Sequence, residues 1–186
     1  MQCHVVYSVP LELAVSHNAP ALHQSYGGRV PVIPMIKVRH RPPSQDPCAD
    51  GVEKMREIVR RRLDRAKAKM SDIVDSSETL DQLILLSGGQ PTELMTLMGD
   101  CVLRKRPFDL KTLEVRKVRG QREYQFLRKD HWDLIESVKQ DGQFERTTGN
   151  EDAVRELVTS RALLQYLNGD VWYRLNPYIE GISRPS

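Results

Sequence analysis

The sequence predicts an α-rich α/β chain, and three observations carry that reading. Short β-branched runs sit near the N-terminus, apolar residues recur at three- and four-residue spacing from Asp50 onward, and the chain closes on an Asn-Gly break followed by a Trp-Tyr run. At 186 residues the chain is long enough to bury a sizeable core as one domain or two small ones. Hydrophobic residues at 39% and charged residues at 28% match a globular protein and argue against both wholesale disorder and a membrane protein.

Taken in order, His4 to Pro10 and Val30 to Val38 read as strands, the second demoted by its prolines to an edge strand or extended segment. Between them, Leu11 to Gln24 reads as loop or short helix, with a turn at Ser25-Tyr26-Gly27-Gly28. Arg41 to Pro47 reads as loop. Val52, Met55, Val59, Leu63, Ala66 and Met70 then mark an amphipathic helix, with Asp50 as expected N-cap and Glu53 three residues on. Further helices are expected over Leu80 to Leu86, Pro91 to Arg104, most of Phe108 to Phe126 and Lys129 to Gln140. Asp130 is the expected N-cap of the last of these, and Asp141-Gly142 its close. Arg146 to Asn150 reads as loop, and a final helix is expected over Glu151 to Leu167. Asn168-Gly169 turns the chain into a strand at Asp170 to Pro177. Trp132 and Trp172, each in an apolar setting, are expected in the core.

The formal charge of +3 permits contact with nucleic acid without arguing for it. Cys3, Cys48 and Cys101 are far apart and unpaired in spacing, so no metal site is expected and a reduced, cytoplasmic protein is. The five histidines show neither ligand spacing nor a partnered nucleophile, so no catalytic residue is expected. No apolar run approaches the roughly 20 residues that span a bilayer, and no membrane partner is expected.

The stretch from Leu83 to Met98 is the most specific in the chain. An apolar-periodic segment stops at Ser87-Gly88-Gly89, where a left-handed residue can end a helix, and another starts at Pro91 with Glu93 at its positive end. This Ser-Gly-Gly turn before a Leu-rich helix resembles the sensor-2 region in the helical lid of AAA+ ATPases. On the same resemblance, Val5 to Pro10 looks like the late core strand that ends in the sensor-1 residue, with Ser8 in that place, and Val32 to Met35 is similar to the strand that follows. The resemblance implies three parts: a remnant of core strands and linker over 1–49, a helical lid-like bundle over 50–107, and a winged-helix-like C-terminal module over 108–186. It implies nucleotide-sensing positions at Ser8, Gly88, Gly89 and Thr92, with ATP and Mg as the parent family's cofactors.

The chain departs from that family in three places. It has no GxxxxGK[ST] loop to cradle phosphates and no acidic Walker-B strand end, and Thr92 stands where family members commonly carry Arg. The expectation is therefore a non-catalytic C-terminal fragment or split subunit with no cofactor of its own, coupling nucleotide state to a C-terminal interaction module. Its implied partner is a missing N-terminal ATPase half or a partner ATPase subunit.

A stand-alone DNA-binding regulator is the alternative. It would use the basic run Arg60, Arg61, Arg62 and Arg65 and, on the C-terminal module, Arg155, Arg161 and Arg174. Glu151, Asp152, Glu156 and Asp170 lie among the latter, which favours a protein-contact or structural role there. The basic run spreads around a helix, which favours a solvated face. A third reading docks the N-terminal strands on a partner ATPase through an unpaired edge.

Overall fold

The structure is a computed structural model that describes residues 19–28, 33–104 and 107–184. Seven α-helices lie among them: α1 (Ala19–Ser25), α2 (Ala49–Ala66), α3 (Ser77–Leu86), α4 (Pro91–Arg104), α5 (Leu110–Gln121), α6 (Lys129–Asp141) and α7 (Glu151–Thr159). Two strands, β1 (Leu163–Asn168) and β2 (Asp170–Leu175), pair antiparallel at the C-terminal end. The chain is thus helix-rich with one small sheet. The expected strand at His4 to Pro10, and Ser8 with it, lie outside the described residues.

Helix ends follow local chemistry. The Ser76 hydroxyl accepts the Thr79 N–H at 3.1 Å and starts α3, and the Asp109 carboxylate accepts the Thr112 N–H at 2.7 Å and starts α5. Gly142, at φ 77°, ends α6 in the left-handed conformation.

Several expected elements are corrected. Ile33 to Val38 takes the extended rather than the edge-strand form: it joins no sheet, its backbone bonding to Gly89 through Ile36 and to Cys48 through Val38, with Arg39 just beyond it in an isolated bridge to Pro47. Asp50 lies inside the first turn of α2, because Cys48 holds the N-cap place. That helix stops at Ala66, where Lys67 turns left-handed at φ 53°, so Met70 sits in a separate 3-10 turn. Arg128, not Asp130, precedes α6, and its N–H is accepted by His131 Nδ1 at 3.2 Å. The largest correction is at Glu151 to Leu167. The helix ends at Thr159, Arg161 takes φ 58°, and Leu163–Asn168 becomes the partner of Asp170–Leu175, with Tyr166 opposite Trp172 and Gly169 at the tip.

The main core is continuous from Val38 to Ile179 and draws on both sides of residue 107. Met55 and Val59 of α2 meet Leu83 and Ile84 of α3, with Leu94 and Leu97 of α4, all essentially unexposed. α6 packs on α7 and β2 through Trp132, Ile135 and Val138, and α7 packs on β1. A second cluster of Leu164, Tyr166 and Trp172 takes in Met35, and in it the Tyr166 and Trp172 rings stack with centroids 4.4 Å apart. Phe108, bonded through its backbone to Ile73 and Asp75, seals the junction between the α2–α3 turn and α5.

Gly120 sits inside α5 without breaking it, and the Tyr178 ring lies where a Cβ would be. The same substitution should therefore have opposite signs at two helical glycines. Gly120→Ala is expected to destabilise by about 1–3 kcal/mol through overpacking. Gly99→Ala in α4, which meets open space, is expected to stabilise by about 0.5–1 kcal/mol. Urea midpoints at constant m-value measure both.

Candidate functional site

The turn between α3 and α4 is where the chain's most specific sequence pattern meets its most selective contacts. The Ser87 N–H donates to the Leu83 carbonyl at 3.0 Å, and its hydroxyl donates to the Ile84 carbonyl at 2.7 Å. Gly88 and Gly89 then both take positive φ, 60° and 74°. Two left-handed residues in succession reverse the chain, and a side chain at either would be strained. Gln90 closes the reversal by donating to the Ser87 carbonyl at 3.1 Å, and Pro91 opens α4.

Three distant segments converge on this turn. The Tyr166 hydroxyl of β1 donates to the Gly88 carbonyl at 2.7 Å. The Ile36 N–H of the extended segment donates to the Gly89 carbonyl at 3.1 Å. One step along, the Tyr178 hydroxyl donates to Glu93 Oε1 at 3.0 Å. Leu164 and Pro177 press on Gly88, and the Ile36 carbonyl lies where a Gly89 Cβ would stand. Burial pushes the Tyr166 and Tyr178 phenols well above their ordinary range, so both remain donors across physiological pH.

This geometry redistributes the expected sensing positions. Gly88 and Gly89 are buried and their carbonyls are bound internally. Thr92 is exposed on the first turn of α4, its carbonyl accepting the Thr96 hydroxyl at 3.0 Å.

The expected basic contacts divide in the same way. On α2, Arg60 pairs with Glu53 and Glu57, and Arg61 with Glu57 at 2.7 Å, while Arg62 and Arg65 are exposed and make no ion pair among the described residues. Arg155 pairs with Asp152 one turn away. Arg161 is exposed, and its carbonyl accepts Asn176 Nδ2 at 3.1 Å. Arg174 is corrected outright as a surface contact. At 4% exposure its guanidinium donates to the His40 and Ser44 carbonyls, each at 2.9 Å, and to Gln45 Oε1 and Glu180. Burial holds its pKa below the usual arginine range.

Sequence reasoning missed Arg56, which is bidentate to Asp81 at 2.8 and 2.6 Å and ties α2 to α3. It also missed the hydroxyl contacts of Tyr166 and Tyr178; Tyr178 stands three residues beyond the end of β2 and had no periodicity to reveal it. Among the described residues no group of His, Cys, Asp and Glu is arranged to hold a metal, and no helix is long and apolar enough to cross a membrane. Burial pushes the Cys101 thiol up to about 11, so it stays protonated at neutral pH.

No family model, curated protein or solved structure matches the chain.

Tyr166→Phe is expected to destabilise by about 1–2 kcal/mol, because it leaves the buried Gly88 carbonyl without its donor. Gly88→Ala should cost more, since it adds backbone strain to a collision with Leu164. Together the two should fall short of additivity, which a urea double-mutant cycle measures.

His131 gives a pH dependence. Its ring is fully buried, and burial, with Arg128, holds its pKa below 6.5 against the opposing pull of Asp130 and Glu156. The unfolded chain therefore binds a proton that the folded one refuses, so His131's contribution to stability is complete above pH 6.5 and falls as pH drops toward the folded pKa. His131→Asn, which keeps an acceptor for the Arg128 N–H, should flatten that part of the stability–pH curve.

Proposed function

We propose that the chain is the non-catalytic C-terminal part of an AAA+-type ATPase, whose lid-like turn passes nucleotide state to a winged-helix-like module. The hydrogen bond from Tyr166 to the Gly88 carbonyl is the observation that carries this reading. It joins the turn that resembles sensor 2 to the first strand of the C-terminal hairpin, 78 residues away in sequence. In this reading a displacement of the turn is passed to the hairpin through that bond and through the Leu164 side chain packed beside Gly88.

Further support comes from the order of α6, α7 and the β1–β2 hairpin, two helices followed by an antiparallel pair, which the winged-helix reading expects. The chain supplies no phosphate-binding loop, so ATP and Mg belong to the completed assembly and the phosphate chemistry to the partner half. Thr92 adds a hydroxyl and no charge, so it could orient or sense without neutralising phosphate.

The test begins with the coding DNA upstream of Met1, translated in all frames, where a strand, GxxxxGK[ST] and an acidic strand end are expected. Expressed with that segment, the chain should show ATP-dependent change in amide exchange across residues 163–175, reduced by Tyr166→Phe. Hydrolysis by the isolated chain at a rate abolished by a substitution within it would overturn the non-catalytic reading.

Arg62 and Arg65, exposed and without ion pairs among the described residues, support a second reading as a DNA-binding regulator. That reading expects duplex binding by the isolated chain that weakens steeply with salt and is lost in Arg62→Ala/Arg65→Ala. Its absence at low salt would eliminate it.

A further inference from the structure

Five of the seven large apolar side chains exposed among the described residues fall between Val102 and Val118. Leu103 at the end of α4 is 82% exposed, and Val115 and Val118 of α5 are 61% and 53% exposed. Scattered surface valines need no explanation, but a concentration on the end of one helix and the outer side of the next does. On α5, residues 111, 115, 118 and 119 share one side at helical spacing, while Leu113 and Gly120 of the opposite side are buried in the core. The apolar side chains are therefore not a misplaced core face; that face is already used.

Cations stand on the same helices, Lys111 and Arg119 on the side of α5 that carries Val115 and Val118, and Arg104 next to Leu103. Arg104, Lys111 and Arg119 are exposed and make no ion pair among the described residues, and Glu114 is the one acid on the exposed side of α5. On α2, by contrast, neighbouring glutamates answer three of the arginines, Arg56, Arg60 and Arg61.

We propose that the outer face of α5, with the end of α4, docks an acidic, apolar helical segment of a partner protein. The charge selects the partner. A second copy of the chain packing face to face would bring Lys111 and Arg119 against their own equivalents, which costs association free energy. Nucleic acid would satisfy the cations but would cover Val115 and Val118 with nothing apolar, and this face offers no aromatic ring for a base to stack on. A helix with leucines on one side and flanking glutamates meets both requirements, through the helix-on-helix mode in which apolar anchors at i, i+3 or i+4 and i+7 give the affinity. The surface includes neither Tyr166 nor Gly88, so this inference stands whether or not the ATPase reading does.

The experiment uses the full chain and a fluorescein-labelled helical peptide of about 18 residues, about three heptads in the sense of a helix-in-groove ligand, with Leu at apolar spacing and Glu flanking. The controls are a scrambled peptide of the same composition, a version with Lys for Glu, phosphatidylserine vesicles and a duplex DNA. Fluorescence anisotropy should show saturable binding of the Leu/Glu peptide alone. Lys111→Glu/Arg119→Glu and, separately, Val118→Ser should each weaken binding by about tenfold or more. Arg62→Glu/Arg65→Glu on α2 should leave it unchanged. All these positions are exposed, and an unchanged urea midpoint shows that the variants fold. Failure to bind, equal binding of the scrambled or Lys peptide, or equal binding by the α5 variants would overturn the proposal. So would vesicle or DNA binding that is lost in the α5 variants while the peptide is ignored, or concentration-dependent self-association lost in those variants.

Discussion

The reversal at Gly88-Gly89 is the constraint on which the arrangement of the chain depends. Two consecutive left-handed residues return α4 against α3 and leave the two glycine carbonyls pointing out of the hairpin, with no partner in either helix. Each is met by a donor from a different part of the chain, Tyr166 for Gly88 and Ile36 for Gly89. An unmet buried carbonyl costs about 1–3 kcal/mol, a substantial share of the 5–15 kcal/mol that holds a typical domain together. The apolar core supplies more driving force but is non-directional. The turn's polar demands select, among compact packings, the one with the C-terminal hairpin and the extended segment in their observed places.

Arg174 plays the corresponding part on the other side of the hairpin. Its partners are two backbone carbonyls and an amide of the 40–45 loop, with Glu180 as its one close acid. Dipoles stabilise a guanidinium less than a full counter-charge does, which is why burial depresses its pKa. Such a contact adds little net stability against an apolar alternative, but removing one side leaves a buried charge or orphaned carbonyls. Its effect is to specify where the loop lies. The extended segment, held at Gly89 at one end and by Arg174 beyond it, is thus fixed by polar contacts at both ends, whereas β1 and β2 are fixed by pairing with each other.

Most of the helices were legible in the sequence because each buries a stripe that repeats at the helical period. α4 begins and ends where Pro91 and Arg104 foretold, and Gly142 closes α6 as expected. The failure at β1 has a definite cause. Val154, Leu157 and Val158 keep helical spacing, and Leu164 and Tyr166 were assimilated to it although they stand two apart, the spacing of a strand face. The Asn-Gly signal was read as a turn into a strand, yet its usual setting has a strand on each side, and Tyr166 faces Trp172 across the ladder. The capping errors at Asp50 and Asp130 share another cause: acidic residues suit both the cap and the first turn, and composition alone does not separate the two. Neither Arg174's burial nor the hydroxyl contacts of Tyr166 and Tyr178 were legible, because they join residues 78 or more positions apart, or a strand to a loop, and follow from the tertiary fold.

Charge read along the chain and charge presented to solvent are different quantities here. The densest cationic run in the sequence, Arg60 to Arg65, is partly answered by Glu53 and Glu57 one or two turns back on the same helix, so its field at a distance is weaker than its density suggests. Arg174, which stands in a strand and looked accessible, is internal. Arg104, Lys111 and Arg119, unanswered among the described residues, stand on helices that also expose aliphatic side chains, which water solvates poorly. What decides the identity of a surface is which charges the fold leaves unpaired and what lies beside them.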